Sequence, residues 1–404
     1  MSYHLAIVSP TPNWHYPEFY SRLAAHESIE LTMLFCSRKS LDGALLREKF
    51  GEGDRSWGTD LLGNYNYKFM RNYPVSRLAS TSRERLQFVN PGIWRELRAG
   101  KYDVVIIEMW NDVTFLLAGV SCKIQGIPFF YTGDATILTE RSRPRWLRLL
   151  KKAYLGRFLF SMATGLLYRT ALNRKLYESY SVPDEKMYSF PLSVDALELQ
   201  RIHRQHLETG RDALRRELGI PSGAFAVLYV GRLSPEKRVQ DLIKAYLSLE
   251  VPNKSLYIVG GGPFKSELEV LINNSVNPES IHLAGFKGKK EVAKFYTVAD
   301  ILVLPSEMEP HGAVVKEAMC FGLPVIVSDK VGSSADVVLH GENGFIYPCG
   351  EIPSLSKYLE IIEHDRDKRI QMSKKANQIA EEWDHDKTIS QLISTLESIL
   401  TMSS

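Results

Sequence analysis

Cysteine is scarce in this chain of 404 residues: there are four, Cys36, Cys122, Cys320 and Cys349, and they lie far apart. No CxxC pair or Cys/His cluster has metal-ligand spacing, so a disulfide scaffold and a structural metal site are both excluded as organising devices. A reducing, cytoplasmic compartment is the expectation. Long hydrophobic runs are missing as well. The longest mainly apolar stretch, near Phe158–Tyr168, is too short to span a bilayer. The start, MSYHLAIVSP, runs straight into a strand-like segment with no basic leader, apolar stretch and cleavage site, so no signal peptide is expected. Surplus charge is small, at +3, which speaks against nucleic acid as a partner. No short repeat or low-complexity tract occurs, and the first glycine of the chain is Gly43.

What remains is an ordinary globular composition, 44% hydrophobic and 24% charged. A chain of 404 residues exceeds what one core usually serves, so two domains are expected. Short apolar runs alternate with segments of helical period. They are Leu5–Val8, Leu31–Cys36, Val104–Ile107 and Pro128–Tyr131, then Ala226–Val230, Ser255–Val259, Ile281–Ala284, Ile301–Leu304 and Pro324–Val327. Continuous Val/Ile/Leu runs predict parallel strands buried on both faces, and the alternation predicts βαβ units. Between Ala196 and Ser222 the chain turns polar and charged, which places the domain boundary near Asp195. The division read from the sequence is 1–195, 196–378 and a C-terminal helical segment 379–404. Arg38–Gln87 yields no assignable elements.

The chemistry concentrates in the second half. Gly231-Arg232-Leu233-Ser234-Pro235-Glu236-Lys237 follows the strand Ala226–Val230. Ser234 suits an N-cap and Pro235 a first helical residue, which puts Lys237 in the first helical turn. A cation there opposes the helix dipole unless an anion lies between it, Arg232 and exposed backbone N–H groups. A solvated surface pair fits the same residues equally well.

Glu309-Pro310-His311-Gly312-Ala313-Val314-Val315-Lys316-Glu317 follows the strand Ile301–Leu304. A helix is expected from about Gly312 to Gly322, with Glu309 in the loop and Glu317 on the second turn. Eight helical residues span roughly 12 Å, comparable to the reach of a nucleotide sugar. In that reading Glu317 accepts from ribose hydroxyls, N–H groups after Gly312 receive a diphosphate, and Glu309 holds the sugar. Gly312, without a Cβ, lets a ligand approach the backbone. The spacing alone also fits a surface loop glutamate and an exposed helical one. Two further strand ends carry glycine: Val259-Gly260-Gly261-Gly262-Pro263, and Leu283-Ala284-Gly285-Phe286, where backbone and ring can frame a base.

The order GRLSPEK, VGGGP, LAGF, ADILVLPS, EPHGAVVKEAMCFGLPVIVSD and ENGFIY resembles that of the retaining glycosyltransferases of family 4, over about Val227–Tyr347. SVPDEKMYSFPLSVD is similar to that family's lead-in to its second domain. The resemblance implies an α/β GT-B fold: two Rossmann-like domains facing each other across a cleft, with a C-terminal helix crossing back to the first. It implies transfer of a sugar from a nucleotide-diphosphate sugar, with no metal and no other cofactor. By position, Arg232 and Lys237 match the diphosphate-binding pair, and Glu309 and Glu317 the two glutamates of E-x7-E. Gly231, Gly261, Gly262, Gly285, Phe286 and His311 join the donor site, and Gly312, Ala313, Val314 and Val315 supply backbone contacts.

The first half departs from the family. Many members have a glycine-rich loop after the first strand; here Trp14, His15 and Tyr16 stand there and are assigned to the acceptor side. Where many members have a histidine after a later strand, this chain has Tyr131-Thr132-Gly133-Asp134. Asp134 is the candidate for orienting the acceptor hydroxyl or accepting its proton, and a helix cap is its other reading. The acceptor expected is a glycan or a lipid-linked molecule. An epimerase, a glycosyl phosphorylase and a nucleotide-sugar-binding protein without turnover are the rival readings; the chain has no obvious lysine-cofactor domain for the second.

Finally, Arg141–Arg157 holds seven basic residues and no acidic one. On a helix Arg141, Arg145, Arg148 and Lys152 share one face and Leu147, Leu150, Tyr154 and Phe158 another, with Trp146 near the boundary. Such a helix fits the inner face of an anionic membrane. Its apolar face reads first as the side that packs on the sheet, since every helix of a βαβ unit needs one.

Overall fold

A computed structural model describes residues 2–13, 16–41, 61–73, 87–141 and 144–403. The described residues form two compact units. The first comprises Met1–Leu45, Thr59–Pro191 and His385–Ser404 in its bounds, and the second takes in Leu192–Asp384. The chain therefore leaves the first unit between Pro191 and Leu192 and re-enters it between Asp384 and His385, rather than at 195/196 and 378/379.

The first unit is built on seven strands: β1 (Tyr3–Ser9), β2 (Ile29–Phe35), β3 (Asn66–Phe69), β4 (Val104–Glu108), β5 (Phe129–Thr132), β6 (Gly165–Tyr168) and β7 (Met187–Ser189). Their order is β3-β2-β1-β4-β5-β6-β7, and every pairing is parallel. The apolar runs are continuous because both faces are covered. Ala6, Val8, Val105 and Ile107 enter one buried cluster, and their neighbours Leu5, Ile7, Val104 and Ile106 enter another. The helix His385–Ser403 belongs to this unit and contributes Ile389, Leu392, Ile393 and Leu396 to the second cluster.

The second unit repeats the scheme with β8 (Phe225–Val230), β9 (Lys254–Val259), β10 (Ile281–Gly285), β11 (Ile301–Leu304), β12 (Val325–Ser328) and β13 (Gly344–Tyr347). The order is β10-β9-β8-β11-β12-β13, again parallel throughout. Both sheets reverse direction of growth beside their first strand, between β1 and β4 and between β8 and β11. In open α/β sheets a ligand binds at such a switch point, outside the carboxyl ends of the strands.

All nine strands expected from the sequence are present, within two residues at their ends. Four were not expected: β3, β6, β7 and β13. Each has three or four residues, and β6 lies inside the apolar stretch Phe158–Tyr168. The polar segment after Asp195 is two helices, Ala196–Thr209 and Arg211–Glu217, the first capped by the Asp195 carboxylate through the N–H of Glu198.

Candidate functional site

At the switch point of the second unit, the loop after β8 and the loop after β11 meet. Lys237 Nζ lies 2.6 Å from Glu309 Oε2 and donates to the Met308 carbonyl at 3.2 Å. The other carboxylate oxygen of Glu309 accepts the N–H groups of His311 and Gly312, at 3.2 and 3.0 Å. Burial alone would raise the pKa of Glu309. Lys237 and the two N–H groups outweigh it and hold the carboxyl below its ordinary value.

The helix after Glu309 runs Ala313–Cys320, preceded by Gly312 at φ +68. That left-handed conformation, with Ser333 Oγ 2.7 Å from where a Cβ would stand, accounts for glycine here on packing alone. Val315 is buried in the core and its N–H goes to the Gly312 carbonyl. Gly312 N–H is already taken by Glu309, so Ala313 and Val314 are the first-turn residues whose N–H groups face ahead of the helix. The expected backbone cradle of four residues thus narrows to two. Glu317 stands half-buried one turn on, oriented by the Tyr296 hydroxyl at 2.9 Å. Its neighbour Lys316 is turned into the protein, where Nζ donates to the Leu192 carbonyl and sits 3.9 Å from the centre of the Trp383 ring. Burial pulls its pKa down to about 7.

The loop after β8 differs from expectation. Pro235–Lys237 is a single 3-10 turn, and the α-helix begins only at Val239, after Arg238 at φ +50. Lys237 is therefore not in the first turn of that helix. Ser234 does not cap it either, because its hydroxyl bonds to the Glu236 carboxylate at 2.6 Å. Arg232 pairs with the same carboxylate at 2.6 Å and is half-exposed. Gly261 and Gly262 lie against this loop. Leu233 N–H donates to the Gly261 carbonyl, and a Cβ on Gly262 would stand 2.2 Å from the Leu233 carbonyl oxygen. The closest approach these glycines permit is that of the chain to itself. Gly231 follows β8, Gly285 closes β10 and bonds the Gly260 N–H, and Phe286 and His311 are half-buried.

In the first unit Trp14 and His15 lie outside the described residues. Tyr16 precedes the helix Pro17–Ala25, and its hydroxyl accepts from Arg169. Asp134 sits in a bend, and Thr136 rather than Asp134 occupies the position before the helix Ile137–Arg141. Its carboxylate is 3.6 Å from Arg169 Nε. The sequence reading missed the group that joins these two. Arg169 is buried just after β6, bonded to Thr132 Oγ1 and Glu108 Oε1 at 3.2 Å each. Glu108, the last residue of β4, also accepts from the Tyr20 hydroxyl at 2.5 Å. The available signal was positional, since Glu108, Thr132 and Arg169 each end or follow a parallel strand.

Among the described residues no group of three or more His, Cys, Asp or Glu is arranged to hold a metal ion, and no helix is long and apolar enough to cross a membrane. The segment 141–159 also differs from expectation. It is a helix Arg145–Lys151 running into a π-helical stretch Lys152–Leu159. Leu155 and Leu159 do the packing, while Trp146, Leu149, Leu150, Tyr154 and Phe158 are between 44% and 69% exposed. Leu150, Tyr154 and Phe158 therefore face away from the sheet they were expected to cover, and Leu147 is half-buried. The side chain of Arg141 lies outside the described residues.

Residues 210–379 match the family Glycosyl transferases group 1. An uncharacterized glycosyltransferase of Methanocaldococcus jannaschii is 37% identical over 136 residues, 33% of this chain and 35% of that one. The alpha-monoglucosyldiacylglycerol synthase of Acholeplasma laidlawii is 33% identical over 142 residues, 34% of this chain and 35% of its own. The matched stretch thus spans about a third of either relative's length. Over the full fold, the Anabaena protein HepE in complex with UDP superposes with a TM-score of 0.74 at 18% identity, covering 98% of this chain and 100% of that one. The likeness to glycosyl transferases group 1 thus lies in residues 210–379, most of the second unit, and the chain as a whole has the GT-B fold.

Proposed function

We propose that this chain moves a sugar from a nucleotide-diphosphate sugar to an acceptor hydroxyl, with retention of configuration and without a metal. The observation that carries the reading is the ion pair of Lys237 with Glu309 at the switch point of the second unit, beside a helix start with N–H groups facing ahead. Cations and helix N-termini suit a diphosphate, and an acidic group suits sugar hydroxyls. The likeness to a fold solved with UDP and with UDP-glucose supports a nucleotide-sugar donor. In the step itself the bond from the anomeric carbon to the diphosphate oxygen breaks. The acceptor oxygen bonds to that carbon on the same face, and its proton leaves with the departing nucleoside diphosphate. Negative charge grows on the leaving phosphate, where Lys237, Arg232 and the N–H groups of Ala313 and Val314 oppose it. Glu309 holds the sugar and Glu317 the ribose.

Thermal unfolding against UDP, GDP, ADP and TDP tests the donor assignment. One of them at a hundred times its dissociation constant should stabilise the chain by about 2.7 kcal/mol. No shift with any of the four would end the reading. Release of that nucleoside diphosphate only in the presence of an acceptor separates transfer from epimerisation and from binding without turnover.

The acceptor is a glycan or a lipid-linked molecule, and the exposed side chains of the segment 145–158 favour the second. Trp146, Leu149, Leu150, Tyr154 and Phe158 stand in solvent beside Arg145, Lys152 and Arg157, with no acidic residue from Arg141 to Tyr177. Apolar and aromatic side chains flanked by cations are what the interface of an anionic bilayer accommodates, each cation adding about 1 kcal/mol. The protein should sediment with phosphatidylglycerol vesicles at low salt and not with phosphatidylcholine vesicles. Leu149→Glu together with Phe158→Glu should abolish that sedimentation while the melting temperature holds. Wild-type protein left in the supernatant at low salt would point to a soluble acceptor.

A further inference from the structure

Both cations assigned to the diphosphate have a carboxylate partner, and the two pairs are built differently. Lys237 and Glu309 stand 2.6 Å apart with side chains 13% and 19% exposed, and two N–H groups hold the far oxygen of Glu309. Arg232 and Glu236 are also 2.6 Å apart, but their side chains are 37% and 34% exposed. They meet through one guanidinium nitrogen and one carboxylate oxygen. An arginine can offer a carboxylate two parallel N–H bonds, and here it offers one.

The two members of that second pair are not equally held. The Glu236 oxygen that accepts from Arg232 also accepts from Ser234 Oγ at 2.6 Å, and Ser234 is buried. The Glu236 carbonyl takes the Glu307 N–H at 2.8 Å, which ties it to the loop that carries Glu309. The backbone of Arg232 is fixed as well, by the Tyr229 hydroxyl on its carbonyl at 2.9 Å. Its side chain, by contrast, has Glu236 as its one hydrogen-bonding partner among the described residues. The carboxylate is therefore anchored, and the guanidinium is the end free to move. Burial pushes the Glu236 carboxyl up, but Ser234, its own N–H and Arg232 outweigh it and hold it below its ordinary value, so it is ionised at neutral pH. An anion that reaches Arg232 meets a fixed negative charge on the same guanidinium.

We propose that Glu236 competes with the diphosphate for Arg232. The anchored carboxylate gives up the guanidinium as the donor binds and recovers it as the nucleoside diphosphate leaves, so the product is held more weakly than the two cations alone would hold it. The proposal rests on the transferase reading above and adds a residue to it. The bare diphosphate is more negative than the donor, because its terminal phosphate, freed from the sugar, ionises a second time below neutral pH. Glu236 repels it the more for that. Two unshared cations would stabilise the leaving phosphate and then retain it, and product release limits turnover in many enzymes. Sharing Arg232 supplies charge during the step and a way out after it.

Calorimetry on the full chain tests this, with whichever of UDP, GDP, ADP and TDP stabilises the parent. Glu236→Gln keeps an acceptor for Ser234 and removes the charge. It should bind that nucleoside diphosphate about fivefold more tightly, the equivalent of about 1 kcal/mol and the upper end for an ion pair in contact with solvent. The gain should lie in slower dissociation, read by surface plasmon resonance. In an Arg232→Met background the same change should alter affinity by under about twofold, since Glu236 acts through that guanidinium. Weaker binding by Glu236→Gln would show that the carboxylate orients Arg232 for the ligand, and would overturn the proposal. Unchanged affinity with a lower melting temperature would make the contact purely structural and overturn it too. A gain of the same size without Arg232 would assign the effect to repulsion alone and remove the shared cation. A parent chain that binds none of the four overturns the transferase reading and this proposal with it; binding by the parent with no gain in Glu236→Gln overturns the proposal alone.

Discussion

Lys237→Ala is expected to weaken binding of the nucleotide-sugar donor by roughly one to two decades, the equivalent of about 1.5–3 kcal/mol for a charge-assisted contact. The transfer rate should fall with it while the fold survives. The ammonium stands 2.6 Å from Glu309 and is half of an ion pair largely withdrawn from solvent. Under the proposed function, removing it takes a cation from the diphosphate; it also leaves Glu309 with only the N–H groups of His311 and Gly312.

That second effect has a signature in pH. Glu309 is held below its ordinary value because Lys237 and the two N–H groups outweigh the burial that would raise it. A depressed carboxyl contributes stability above its unfolded pKa and loses it as pH falls through the folded one. Without Lys237 the folded value rises. The acid limb of activity in Lys237→Ala should therefore begin at a higher pH than in the parent. Donor affinity, rate and acid limb all unchanged would remove Lys237 from the site. The two glutamates should separate in the same assay. Glu317→Ala should weaken binding of the bare nucleoside diphosphate, and Glu309→Ala should spare it and damage sugar transfer. Equal losses by calorimetry would contradict that division.

The parts of the fold legible in the sequence were those with a strong local pattern. Runs such as Leu5–Val8 and Ile301–Leu304 are apolar at every position because helices cover both faces of each sheet. β7 and β13 have three and four residues, and strands that short are defined by their neighbours more than by their own composition. The helix Ala313–Cys320 was legible because Gly312 and Gly322 bracket it. The turn at Lys237 was misread because Ser-Pro resembles a helix start; the left-handed Arg238, which breaks the helix, has no mark in the sequence. The same limit hid Arg169. An arginine after an apolar run reads as a surface residue until Glu108, Thr132 and Tyr16, all more than thirty positions away, are brought around it.

Asp300→Ala should be among the most destabilising single changes in the second unit, at about 3 kcal/mol, the lower end of what breaking a buried ion pair costs. Asp300 is the second residue of the motif segment ADILVLPS yet stands at the amino end of β11, the end opposite to the loop that carries Glu309. Its carboxylate accepts from Arg211 and Arg215 at 2.9 Å each and from the Ala226 N–H at 2.8 Å. Arg215 is buried and also reaches the carbonyls of Val298 and Ala224, so one carboxylate ties the helix Arg211–Glu217 to the starts of β8 and β11. Those carbonyls remain after the substitution, which keeps the loss from the top of the range. A domain of 150–250 residues loses roughly 2–4 °C per kcal/mol, so the melting temperature should drop by about 6–12 °C. Glu217→Ala is the matched control, because its pair with Lys294 is exposed and worth under about 1 kcal/mol. Donor affinity measured well below the transition should be unchanged in Asp300→Ala, since its contacts are all at the strand ends remote from Lys237 and Glu309. A melting temperature within 2–3 °C of the Glu217→Ala control would show that the Arg215 network is dispensable.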